Sequence, residues 1–186
     1  MNTNKIVVNF IAMILCFATL SCANQKEKTP STNGIADSTK AVENIKKQIT
    51  RIDSVKDSME ITDAMIYGKS SEGGRVKGYY SENELMKIAV TYFYDMGRTL
   101  IEYYFEKGKA IFIKKVDQIY DMPIAIPDSK VEKTREILFY VNENEMVNWE
   151  DNESNEDYSF YKQEYAKLIA DINELKKTLF EKQNEK

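Results

Sequence analysis

Three stretches of this sequence repeat one pattern in register: Tyr79-Tyr80-Ser81-Glu82-Asn83-Glu84-Leu85-Met86, Tyr104-Phe105-Glu106-Lys107-Gly108-Lys109-Ala110-Ile111 and Tyr140-Val141-Asn142-Glu143-Asn144-Glu145-Met146-Val147. Each runs from an aromatic strand through a polar turn into an apolar strand. The fifth position holds Asn83, Gly108 or Asn144, residues that tolerate the positive φ a two-residue hairpin turn demands. Turns this short join antiparallel neighbours, because parallel strands need a much longer crossover. The repeat therefore commits the middle of the chain to a β-meander. Strands are expected over 61–67, 75–81, 84–94, 98–106, 109–117, 134–142 and 145–150. Asp95-Met96-Gly97 offers a further turn, and residues 118–133, with Pro123 and Pro127, interrupt the meander once.

Helical periodicity flanks this region. Val42, Ile45, Ile49, Ile52, Val55 and Met59 recur three or four apart, which places them on one face of a helix over 37–60 that Asp37 or Ser38 can cap. Tyr158, Tyr161, Tyr165, Leu168, Ile172, Leu175 and Leu179 form a heptad seam along a second helix over 155–181, with Ser154 as a cap and Asp157 reaching back. The seam has two uses open to it: pairing with another helix as a coiled coil, or packing on the sheet or the first helix. The expected fold class is α+β, an antiparallel β-meander of tandem hairpins flanked by an N-terminal and a C-terminal amphipathic helix, in one domain over 37–186.

The N-terminus carries an address. Lys5 is followed by an uncharged apolar run over residues 6–20, then Ser21 and Cys22, after which the chain turns polar. The run is shorter than the ~20 residues of a membrane-spanning helix and has the layout of a secretory signal. Thr19-Leu20-Ser21-Cys22 resembles the lipobox of bacterial lipoproteins, most closely the loose Ser-Cys form found in Bacteroidota. That resemblance implies cleavage after residue 21, a diacylglyceryl group on Cys22, often a further acyl chain such as palmitate on the new amine, and membrane attachment through the N-terminal lipid. Residues 22–36 then read as a polar tether. The other cysteine, Cys16, lies inside the leader, so processing would leave only Cys22 and no disulfide. Ala23 follows the cysteine, which by resemblance suggests the outer membrane, facing the periplasm. The tandem hairpins are themselves similar to MORN-like repeats and to uncharacterised Bacteroidota lipoproteins with a YY-x-x-x-GK pattern; that likeness bears on fold more than on function.

Several chemistries are excluded. There is no histidine, and formal net charge is −4. His-based triads, Cys–His pairs and His-ligated zinc are ruled out, and no basic patch suits nucleic acid. No Walker or dinucleotide glycine pattern is present. The acidic run at 151–157 fails the calcium-loop pattern, because Glu156 stands where that loop needs Gly and Lys162 where it needs its last Glu. No cofactor or metal is expected.

Straight two-residue hairpins would pair Phe105 with Ala110 and Tyr103 with Phe112, and place Tyr79, Tyr104, Tyr140 and Trp149 together on the face opposite Tyr103. Two arrangements follow: an exposed aromatic face that binds a partner, or half-buried tyrosines pairing across strands. The expected role is a non-enzymatic, lipid-anchored envelope module that binds a protein or glycan. The alternatives are a structural or assembly subunit using the C-terminal heptad helix and, third, a small carboxylate-based periplasmic hydrolase.

Overall fold

The structure, a computed structural model, describes residues 32–153 and 156–185, with side chains from Ser38 onward. The leader, Cys22 and Ser154 lie outside the described residues. Helix α1 (Thr32–Val55) closes in a 3-10 turn (Lys56–Ser58). Seven strands follow: β1 (Glu60–Ile66), β2 (Gly74–Ser81), β3 (Glu84–Tyr94), β4 (Gly97–Glu106), β5 (Lys109–Tyr120), β6 (Val131–Asn142) and β7 (Glu145–Asp151). Helix α2 (Tyr158–Gln183) ends the fold. The strands form one antiparallel sheet in chain order, so the class is α+β with a seven-strand meander between two terminal helices.

The three repeats are three hairpins of one design. Glu82-Asn83, Lys107-Gly108 and Glu143-Asn144 all have positive φ, between 49° and 75°. Such turns match the right-handed twist of the strands they join. One pair beyond each turn the register slips: Tyr80 faces Leu85 but Tyr79 faces Lys87, Phe105 faces Ala110 but Tyr104 faces Phe112, and Val141 faces Met146 but Tyr140 faces Asn148. Met86, Ile111 and Val147 are the extra residues of three equivalent bulges. Each bulge turns two consecutive side chains to the same face, so Ile111 and Phe112 share one cluster. This corrects the straight-hairpin register. Tyr103 faces Ile113, not Phe112, and Trp149 faces Phe139, on the side of the sheet opposite Tyr104 and Tyr140.

The two helices take opposite faces. Ile45 and Ile52 of α1, with Met59 after it, pack on Met86, Tyr104, Phe112 and Tyr140. Tyr161, Leu168, Ile172, Leu175 and Leu179 of α2 pack on a larger cluster that includes Val76, Ile88, Tyr103, Ile113 and Phe139. Leu179 is fully buried, and such burial stabilises by about 1.5–3 kcal/mol per side chain. The heptad seam is thus used within the molecule, against the sheet.

Helix α1 starts at Thr32, upstream of the expected cap at Asp37 or Ser38, so the last residues assigned to the tether belong to the helix. Asp157 is itself the cap of α2, its carboxylate accepting the Phe160 N–H at 3.0 Å. The meander is longer than expected around its break: β5 runs to Tyr120 and β6 begins at Val131.

Candidate functional site

The structure does not gather Tyr79, Tyr104, Tyr140 and Trp149 into one open face. Tyr104 is 3% exposed and Tyr140 2%. Tyr79 is half-buried against the cluster they share with α1. Trp149 lies across the sheet, half-buried, stacked on Tyr161 at 5.1 Å between centroids and against Tyr158 at 5.4 Å. The bulge at Val147 is the reason: it shifts Trp149 by one residue in register and hence to the other face.

The buried phenols of Tyr104 and Tyr140 each have a structural partner, whereas the buried Tyr92 and Tyr103 hydroxyls have none among the described residues. Lys87 donates to the Tyr104 hydroxyl at 2.6 Å, and that hydroxyl donates to Asp53 of α1 at 3.1 Å. The Lys87 ammonium is enclosed, 2.7 Å from Glu102 and 3.3 Å from Asp53. Burial, then the Glu102 and Asp53 carboxylates, hold the Tyr104 phenol well above its ordinary pKa, so it stays a neutral donor. The Tyr140 hydroxyl donates to Glu150 at 2.9 Å, and Lys46 bridges from α1 to the same carboxylate at 3.2 Å. These groups pin α1 to the sheet. On the other face Asp151, with its side chain 1% exposed, accepts from Arg135 at 2.8 Å, the Tyr161 hydroxyl at 3.0 Å and the Glu153 N–H at 2.9 Å. Burial pushes the Asp151 carboxyl up, but these donors outweigh it and hold it below the ordinary value.

The open apolar surface lies elsewhere, at one end of the sheet. The β1–β2 loop, the Asp95-Met96 turn and the β5–β6 connection meet there, opposite the end that carries the three charged hairpin turns. Backbone bonds tie them together: Phe93 N–H to the Gly73 carbonyl at 2.9 Å, Tyr120 N–H to that of Met96 at 2.9 Å, and Ile124 N–H to that of Asp95 at 2.9 Å. The β5–β6 connection is also bonded to itself. Asp121 N–H donates to the Lys130 carbonyl, Lys130 N–H to the Asp121 carboxylate, and the Ser129 hydroxyl to the Met122 carbonyl. On this framework Tyr94, Met96, Ile119, Met122, Ile126 and Val131 stand 37–49% exposed. Tyr67 of the neighbouring β1–β2 loop is 78% exposed. Tyr94 and Ile119 share a row of the sheet, at Tyr94↔Gly97↔Ile119, beyond the buried seam of α2. A single exposed apolar residue needs no explanation, but here six stand at one end of the sheet on connections bonded to each other.

Sequence reasoning passed over these residues because Pro123 and Pro127 read only as an interruption. The available signal was Ile119, Met122, Ile124 and Ile126 within it, apolar side chains in a segment with no strand or helix period to bury them. Chemically the end offers apolar contact and backbone polarity. Among the described residues no group of three or more His, Cys, Asp or Glu side chains is placed to hold a metal ion, and no helix is long and apolar enough to cross a membrane.

Comparison with family models, with curated proteins and with solved structures gives no match.

Proposed function

We propose that this chain is a lipid-anchored bacterial envelope protein, attached through Cys22 and facing the periplasm from the outer membrane, whose folded part is a non-enzymatic module that binds a protein partner. The carrying observation is the apolar end formed by Tyr94, Met96, Ile119, Met122, Ile126 and Val131. Its residue types and packed framework suit a protein surface better than a glycan, which needs convergent hydrogen-bonding groups around an aromatic platform. The direction of the chain supports the same reading. Lys40, Ala41 and Asn44 of α1 border a cavity with Glu106, Val141 and Asn142 of the hairpins, so the chain enters the fold at the hairpin end. That point of entry leaves the apolar end, at the far side of the sheet, for a partner.

Two experiments test this. Metabolic palmitate labelling is expected in the wild type and lost in Cys22→Ser; labelling that persists would refute the anchor site. Photo-crosslinking residues placed at Met122 or Ile126 in intact envelopes are expected to give a discrete protein adduct, while the same residue at Asn83 or Glu143 gives none. Equal adducts at both ends, or a glycan adduct at the loop end, would sink the protein-binding reading.

A further inference from the structure

The sheet has two open edges, and they are built differently. β7 is bent by the bulge at Val147 and carries Glu145, Glu150 and Asp151, features that discourage another strand from adding. β1 pairs with β2 over its full length, from Glu60↔Tyr80 to Ile66↔Gly74, with no register shift. It contains no Pro, no Lys and no bulge. Its one central charge, Asp63, is held from the side by Arg75, whose Nε donates at 2.7 Å. On the outer side, the main chain of residues 60–66 has no partner among the described residues: its sole strand neighbour is β2, and no loop or side chain bonds to it. Ile61 and Met65 are 45% and 52% exposed on one face of this edge. Towards α2 a groove of about 570 Å³ opens between β1 and the last turns of the helix, where Ala64 is small and Thr178 and Lys182 form the far wall.

We propose that β1 is a strand-addition site that takes an extended peptide segment of a partner protein as an eighth strand. Outward amides and carbonyls in a row are complemented by another extended backbone; a lipid or glycan cannot repeat their spacing. Alternate side chains of the added strand rest on Ile61 and Met65 on one face and enter the groove beside α2 on the other. A second copy of this chain is the poorer occupant. Antiparallel pairing of β1 with itself sets Asp63 against its own copy, or against Met65 or Ile61, and like or unmatched charges across a ladder are destabilising. The segment favoured has apolar residues two places either side of a small polar one. This site is independent of the apolar loop end and does not require it.

The test uses the full-length protein in detergent and a fluorescein-labelled probe, the heptapeptide Lys-Val-Val-Thr-Val-Val-Lys with blocked ends, in which Val stands two places either side of Thr. Saturable anisotropy is expected, with hydrogen exchange of the β1 amides slowed on binding. Ile61→Lys and Met65→Lys, both at exposed side chains, are expected to weaken binding by about tenfold or more with an unchanged far-ultraviolet spectrum. Asn148→Lys on β7 and Ile126→Asp at the loop end are expected to leave it unchanged, the latter separating this site from the proposed partner surface. A probe N-methylated at alternate amides is expected not to bind. The proposal is overturned if the probe fails to bind the wild type up to about 1 mM, if the N-methylated probe binds equally well, or if both β1 substitutions leave binding intact. A concentration-dependent dimer abolished by Met65→Lys would also overturn it, in favour of a second copy.

Discussion

Gly78 lies in β2 where the last buried turn of α2 meets the sheet. A Cβ there would stand 2.9 Å from Leu179 Cδ1 and 2.9 Å from the Tyr80 ring. Because the close approach fixes the height of α2, Gly78→Ala should lower unfolding free energy by about 1–3 kcal/mol, read as a fall in the urea midpoint at constant slope. Asp151 makes a different prediction. Its folded pKa lies below the unfolded value, so its stabilisation is present above the unfolded pKa, about 3.9, and is lost as pH falls through the folded pKa. Asp151→Asn should cost about 1–3 kcal/mol at neutral pH and flatten the acid limb of a stability–pH profile measured between pH 2 and 7. An unchanged acid limb would show that Asp151 is not the group that titrates there. At this scale the sequence disclosed little. Nothing in its local pattern says that Gly78 faces a helix a hundred residues away, or that Asp151 is enclosed while its neighbour Glu150 is exposed.

The elements were legible to a greater degree, and the reason is physical. A hairpin with a two-residue turn is a local object: its turn residues, strand lengths and pairing partner are all set within a few positions. The turns at Glu82-Asn83, Lys107-Gly108 and Glu143-Asn144 were therefore readable. The bulges were not, because a bulge follows from the balance of two faces, and both faces here are apolar. Without polar alternation, nothing in the sequence separates Ile111 unpaired from Ile111 paired. Deleting Ile111, the unpaired residue, should consequently close the bulge, leave Phe112 opposite Tyr104 and cost only what Ile111 itself buries, under about 3 kcal/mol, measured by thermal unfolding. The α2 seam is equally direct: Leu175→Ala should cost about 2–5 kcal/mol, whereas Asp157→Ala, which removes the cap alone, should cost about 1 kcal/mol. Equal costs would mean that the helix is held by its end and not by its stripe.

Across the whole molecule the chain divides its surface into two unlike ends. The hairpin end presents Glu82, Lys107 and Glu143 in tight turns; the loop end presents Met96, Met122 and Ile126 on connections bonded to each other. Side chains left largely in solvent contribute little by burial, so Ile126→Asp and Met122→Glu should lower unfolding free energy by no more than about 1 kcal/mol while removing the crosslinked adduct at the loop end. A large loss of stability would show instead that the loop end belongs to the core.

The amino-acid sequence by itself determined the hairpins, the two amphipathic helices and the antiparallel order of the strands, because turn chemistry and side-chain period act over a few residues. It also excluded histidine chemistry outright. Only the tertiary structure decided which helix covers which face, where Trp149 points and which apolar residues remain in solvent. Those outcomes depend on a one-residue slip repeated three times and on how far two helices reach across seven strands. A side chain's exposure is set by what lies over it, and in this protein the covering elements come from the opposite ends of the chain.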